Sequence, residues 1–67
     1  MNQTEIVCRA IGKHRRAKLV AVENFVFSAP DDKLANAVNL NNDARSYCWN
    51  SDTVLAIREC LEQMGKI

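Results

Sequence analysis

The segment from Ser51 to Met64 constrains the fold more than any other part of the chain. Val54, Ile57, Cys60, Leu61 and Met64 fall within roughly 120° of one helical face at 100° per residue. Arg58, Glu59, Glu62 and Gln63 occupy the other side, and Leu55 lies among them. Ser51 and Asp52 suit a helix start, and Gly65 suits the position just past its end. An apolar stripe of this width must be covered. The rest of a 67-residue chain can supply that cover, which predicts a single compact domain over 1–67. An apolar fraction of 48% is enough to build such a core and argues against disorder.

Leu19 to Phe27 is the first candidate for that cover. Three valines and two phenylalanines in this stretch favour a pleated sheet, where β-branched side chains lose little rotamer freedom. A strand needs a partner for its backbone groups, and Glu5 to Ile11 is the nearest. Pairing the two places Gly12 to Arg16 at a hairpin tip. The spacing of Ile6, Val7, Ala10 and Ile11 equally fits a helix face, with Thr4 as its cap and Gly12 ending it. Ser28, Pro30, Asp31 and Asp32 predict the start of a short central helix over 31–38, with Leu34, Ala37 and Val38 as its stripe. Asn39 to Asp43 reads as a turn, and Arg45 to Trp49 as a short third strand or a single helical turn. The expected class is α+β: an N-terminal hairpin or helix-strand unit, a short central helix, and the C-terminal amphipathic helix across the sheet. An all-α bundle is the alternative.

Charge carries the functional signal. The run from Arg9 to Lys18 holds five of the nine Lys and Arg residues and none of the eight Asp and Glu, so a net charge of +1 divides into +5 here and −4 elsewhere. Clustered cations raise the local potential and suit phosphates or an acidic protein face. The expected contact residues are Arg9, Lys13, His14, Arg15, Arg16 and Lys18. On a continuous helix Arg9, Lys13 and Arg16 would share one side. The same composition also suits a solvated loop that keeps the chain soluble.

The order of residues from Ile6 to Val20, with Ala10-Ile11-Gly12-Lys13-His14-Arg15 at its centre, resembles the turn and recognition-helix start of some helix-turn-helix transposases and regulators. It departs from that pattern at Arg16-Ala17, where small hydroxylated residues are usual. The second helix would also be valine-rich, and no helix precedes the motif. The resemblance implies DNA contact and competes with the hairpin; it is not counted as membership of those families.

No catalytic set emerges. Cys8 and His14 lack an orienting third group, Asp31-Asp32 is explained by a helix N-terminus, and Gly12-Lys13-His14 lacks the glycine-rich lead of a phosphate-binding loop. Cys8, His14, Cys48 and Cys60 have no paired Cys-x-x-Cys spacing, so neither a metal nor another cofactor is expected. Three cysteines cannot close a disulfide framework, which predicts reduced, buried thiols. The N-terminus does not read as a signal peptide, and no apolar run approaches the roughly 20 residues of a membrane span. These features predict a cytoplasmic, non-enzymatic binding module without a membrane partner. Nucleic acid is the preferred target. The alternative is a protein-protein regulator or inhibitor of the sort that phages and plasmids encode, with Tyr47, Trp49 and Leu55 as contacts. A homodimer through Val54, Ile57, Leu61 and Met64 is a further expectation, since their spacing is heptad-like. Core packing is the default for the aromatics Phe25, Phe27, Tyr47 and Trp49. Facing outward beside the basic run, Tyr47 and Trp49 would stack on bases instead.

Overall fold

The computed structural model describes residues 2–67 and contains four α-helices: α1 (Gln3–Lys13), α2 (Leu19–Ser28), α3 (Lys33–Ser46) and α4 (Ser51–Gln63). There is no strand among the described residues, so the α+β expectation is overturned and the architecture is the all-helical one. The last helix is the hub, because α1, α2 and α3 all pack on α4. Its buried face is Thr53, Ala56, Ile57, Cys60 and Leu61, with Val54 and Met64 at the edges. Full burial of Ile57 and Leu61 stabilises the fold by about 1.5–3 kcal/mol each. Those two residues are enclosed by the other helices of the same chain, so the seam assigned to a homodimer is the monomer core.

Local signals explain α1. Asn2 accepts a hydrogen bond from the Glu5 amide at 2.8 Å, three residues on, and takes the capping role assigned to Thr4. Ile6, Val7 and Ala10 are buried against α4, and the Cys60 thiol points to the Ile6 carbonyl at 3.9 Å. Residues 5–11 therefore follow the 3.6-residue period rather than pairing as a strand.

The stretch read as the best strand is α2. Val22 and Val26, one turn apart, are wholly buried and pack toward α4 and α1. Tertiary burial outweighs a β preference that spans only about 1 kcal/mol. No side chain of its own caps α2. The Lys18 amide at its start donates instead to Thr53 Oγ1 of α4 at 2.9 Å. Thr53 thus fills the place that a carboxylate three residues into a helix fills in a capping box.

The central helix begins later and runs longer than 31–38. Asp32, not Ser28, is the cap, accepting from the Leu34 and Ala35 amides at 2.9 and 3.2 Å. The helix then continues through Asn39 to Asp43, because Leu40 anchors that stretch in the core while Asn39, Asn41 and Asn42 stay outside. Buried Asn36 donates from Nδ2 to the carbonyls of Pro30, Asp32 and Lys66, tying the 29–32 connection to the C-terminal tail. Lys66 completes that clamp with a 2.9 Å hydrogen bond from Nζ to the Ala29 carbonyl and a looser ion pair to Asp31.

Helices α3 and α4 end in the same way. At the end of α4 the Lys66 amide donates to the Leu61 carbonyl at 2.8 Å and the Gly65 amide to the Glu62 carbonyl at 3.1 Å, with Gly65 left-handed at φ +73°. At the end of α3 the Trp49 amide donates to the Ala44 carbonyl and the Cys48 amide to the Arg45 carbonyl. Here the left-handed residue is Cys48, at φ +51°. Neither a third strand nor an isolated turn exists at Arg45–Trp49; the segment is the close of α3 and its reversal.

Candidate nucleic-acid interface

The five-residue connection His14–Lys18 between α1 and α2 carries most of the basic run, and the first turn of α4 holds it in place. The Arg16 amide donates to Asp52 Oδ2 at 3.2 Å. Asn50 Nδ2 donates to the Arg16 carbonyl at 2.9 Å, and Lys18 is held by Thr53 as described. Asn50 Oδ1 accepts from the Thr53 amide and hydroxyl at 2.8 and 2.7 Å, so one asparagine caps α4 and anchors the turn together. The start of α4 is Asn50, one residue before the Ser51-Asp52 signal.

Each predicted contact residue takes a distinct place. Arg15, Arg16 and Lys18 are exposed on the pinned turn, and Arg9 is exposed on α1. Among the described residues these four form no salt bridge. Lys13 is committed elsewhere: its Nζ lies 2.8 Å from Glu59 Oε1 on α4. That hydrogen bond, and then the carboxylate charge, hold the Lys13 pKa above the ordinary lysine value. Lys13 therefore keeps its charge through the neutral range and loses it as pH rises through the raised value. His14 is half-buried with Nε2 3.5 Å from Glu59 Oε2, rather than standing free among arginines. Glu59 removes part of the +5, and within the basic run the cations without an acidic partner among the described residues are Arg9, Arg15, Arg16 and Lys18.

The helix-turn-helix likeness does not survive in the geometry. Gly12 and Lys13 belong to the last turn of α1, not to a turn between helices, and Arg16 is beyond that helix. The following helix, α2, contains no Lys or Arg, so it has no cations to carry into a groove. The basic side chains precede it.

Next to the pinned turn is a cleft. Helices α2 and α3 do not pack on one another, and a cavity of about 600 Å³ lies between them. Phe25 and Val20 line it from α2, Asn39 and Asp43 from α3, and Tyr47 and Trp49 from the reversal after α3; Lys18 stands on its wall. The Tyr47 and Trp49 rings stack, with centroids 5.9 Å apart and planes at 21°, and Phe25 meets Trp49 edge-on at 5.8 Å and 83°. Phe25 and Trp49 are partly buried against the core, whereas Tyr47 is 66% exposed and Phe27 47%, so the expectation of core aromatics fails for Tyr47 and Phe27. Leu55 is half-exposed on α4 and does not line the cleft.

The cysteines are not gathered. Cys8 and Cys48 are exposed and only Cys60 is buried, which corrects the expectation of three buried thiols. Burial, and then the nearby Glu59 charge, push the Cys60 thiol up to about 11. No group of three or more His, Cys, Asp or Glu is arranged as metal ligands among the described residues, and no helix there is long and apolar enough to cross a membrane.

Sequence reasoning missed the residues that organise this region. Asn50 and Thr53 form an N-cap pair whose spacing is legible as a helix start, but their second task of gripping a distant turn is not. Asn39 and Asp43 read as turn residues in sequence; in the structure they lie on α3 and line the cleft. No protein-family model, no curated protein and no solved structure matches the chain.

Proposed function

We propose that the protein is a small non-enzymatic nucleic-acid-binding module whose phosphate contacts are Arg15, Arg16 and Lys18, with Arg9 as an outlying fourth. One observation carries the reading. The backbone of the basic turn is tied to α4 by hydrogen bonds through Asn50, Asp52 and Thr53, while its cationic side chains remain exposed and without acidic partners. A fixed backbone lowers the ordering cost of presenting charge to a phosphate chain. Lys13 and His14, drawn to Glu59, serve the fold in this reading rather than the ligand.

Fluorescence anisotropy against duplex DNA, single-stranded DNA and RNA at several salt concentrations tests it. Four phosphate contacts give a slope of log K against log salt of roughly −3, from about −0.9 per contact on duplex and −0.7 on single strands. Changing Arg15, Arg16 and Lys18 together to alanine should remove most of that slope. An unchanged slope, or no binding to any of the three at low salt, refutes the reading. An acidic protein face suits the same cations, so retention on a polyglutamate matrix without nucleic-acid binding would assign the turn to a protein partner.

A further inference from the structure

We infer that the α2–α3 cleft receives an unpaired nucleobase, stacked against the Tyr47–Trp49 pair while Lys18 holds the adjoining phosphate. The inference rests on the phosphate-binding reading of the basic turn and deepens it to single-stranded nucleic acid.

The cleft has the right size and the right walls. Its 600 Å³ lies within the roughly 300–1,000 Å³ usual for small organic ligands. Only two phenylalanines, one tyrosine and one tryptophan occur in the chain, and a domain this small gains most by burying them. Tyr47 and Phe27 are nevertheless exposed, and of the two Tyr47 lines the cavity, stacked on Trp49. An aromatic pair of this kind is a platform for any base, since every base has a π-face.

The backbone that builds the platform is strained. Cys48 adopts the left-handed conformation that glycine takes without penalty and that costs other residues about 1–2 kcal/mol. That conformation turns the chain between Tyr47 and Trp49, two residues apart, whose rings then stack. Strain of this sort persists where the surrounding structure enforces it, and it concentrates at ligand sites.

Charge selects the occupant. Lys18 belongs both to the pinned basic turn and to the cleft wall, so a phosphate held at the turn sits next to the cavity. Asp43 on the opposite wall opposes any anion inside the cleft, acidic side chain or phosphate alike, whereas a base is neutral, and the carboxylate and the Asn24 and Asn39 amides offer acceptors and donors to its edge. Paired bases are stacked inside a duplex and reach such a cavity only by flipping out, at a cost of unstacking and unpairing. An unpaired strand enters without that cost.

Trp49 is the single tryptophan of the chain and provides the readout. The intact protein is titrated, at one low salt concentration, with a base-bearing single-stranded deoxyoligonucleotide, an abasic strand of equal length, the corresponding duplex, and a polyglutamate peptide. Trp49 emission and strand anisotropy are followed together. The base-bearing strand should quench Trp49 and bind more tightly than the abasic strand, which should bind without quenching. Tyr47→Ala should weaken the base-bearing strand by about 5- to 150-fold and leave the abasic strand unchanged, and Tyr47→Phe should restore the affinity. Equal binding of base-bearing and abasic strands, with Trp49 unquenched and Tyr47→Ala silent, overturns the inference and leaves the phosphate reading standing. No nucleic-acid binding at all overturns both. Quenching by polyglutamate but not by the base-bearing strand gives the cleft to an acidic peptide.

Discussion

Thr53→Val should break the tie between α4 and the Lys18 end of the basic turn, leaving the Asp52 and Asn50 bonds to Arg16 and the helical core in place. Thr53 is wholly buried, and its hydroxyl accepts from the Lys18 amide at 2.9 Å and donates to Asn50 Oδ1 at 2.7 Å. Asn50 Oδ1 keeps the Thr53 amide at 2.8 Å after the change, so it is not orphaned. The Lys18 amide is, in a partly buried setting, and an unsatisfied donor costs about 1–3 kcal/mol. Valine keeps the shape, so little packing is lost. A domain of this length has roughly 3–10 kcal/mol of total stability, from about 0.05–0.15 kcal/mol per residue. The expected loss of ~2 kcal/mol is therefore a large share of it. At about 4–8 °C per kcal/mol for a small domain, the midpoint of thermal unfolding should fall by roughly 8–16 °C. Urea unfolding followed by far-ultraviolet circular dichroism should show a lower midpoint with the slope unchanged. Thr53→Ser keeps the hydroxyl and loses one methyl group, for about 0.8 kcal/mol. Hydrogen exchange should separate the two variants, with the Lys18 amide unprotected in Thr53→Val and protected in Thr53→Ser. A Thr53→Val variant within about 0.5 kcal/mol of the wild type, or a Lys18 amide exposed alike in both variants, would refute this role of the Thr53 hydroxyl.

Three further outcomes follow from the same packing. Asn36→Asp sets a carboxylate against the carbonyls of Pro30, Asp32 and Lys66. It should destabilise the fold at neutral pH by more than about 3 kcal/mol, as an uncompensated buried charge does, and recover toward pH ~4 as the acid regains a proton; a deficit independent of pH would contradict this geometry. The Cys60 thiol, pushed up to about 11, keeps its proton in the folded chain after the unfolded chain has lost it. Its stabilising share is complete below the ordinary thiol value of 9.0 and is lost as pH rises toward 11. That loss is about 2–3 kcal/mol at 1.36 kcal/mol per pH unit. Cys60→Ala should remove that slope, and an identical alkaline profile in the variant would count against it. Finally, a soluble disulfide reagent should modify Cys8 and Cys48 quickly and Cys60 only on unfolding; a third fast thiol would show that the α1–α4 interface is open.

The C-terminal helix was legible because its information is local. Val54, Ile57, Cys60, Leu61 and Met64 repeat at the helical period, and Gly65 marks the end with the left-handed φ that the structure has. The second helix was not legible for a matching reason. Its composition is valine-rich, no side chain of its own caps it, and the group that satisfies the amide of its N-cap residue Lys18, the Thr53 hydroxyl, lies 35 residues away. A similar limit applied to α3, where Asn39 to Asp43 resembles a turn until Leu40 finds the core. At the interface the positions of the cations were readable and their allegiances were not. Only packing α1 against α4 brings Glu59 onto Lys13 and His14.

The sequence by itself determined the helical stripe of 51–64, the need for one core in so short a chain, and the +5/−4 division of charge. Each depends on residue type and spacing along one segment. Tertiary structure alone decided that the valine-rich stretch is a helix, because burying Val22 and Val26 against α4 outweighs a small β preference. It also decided which cations stay free, since an ion pair is set by distance in space. And it decided that Tyr47, Trp49 and Lys18 share one cleft, because α2 and α3 each pack on α4 and not on one another.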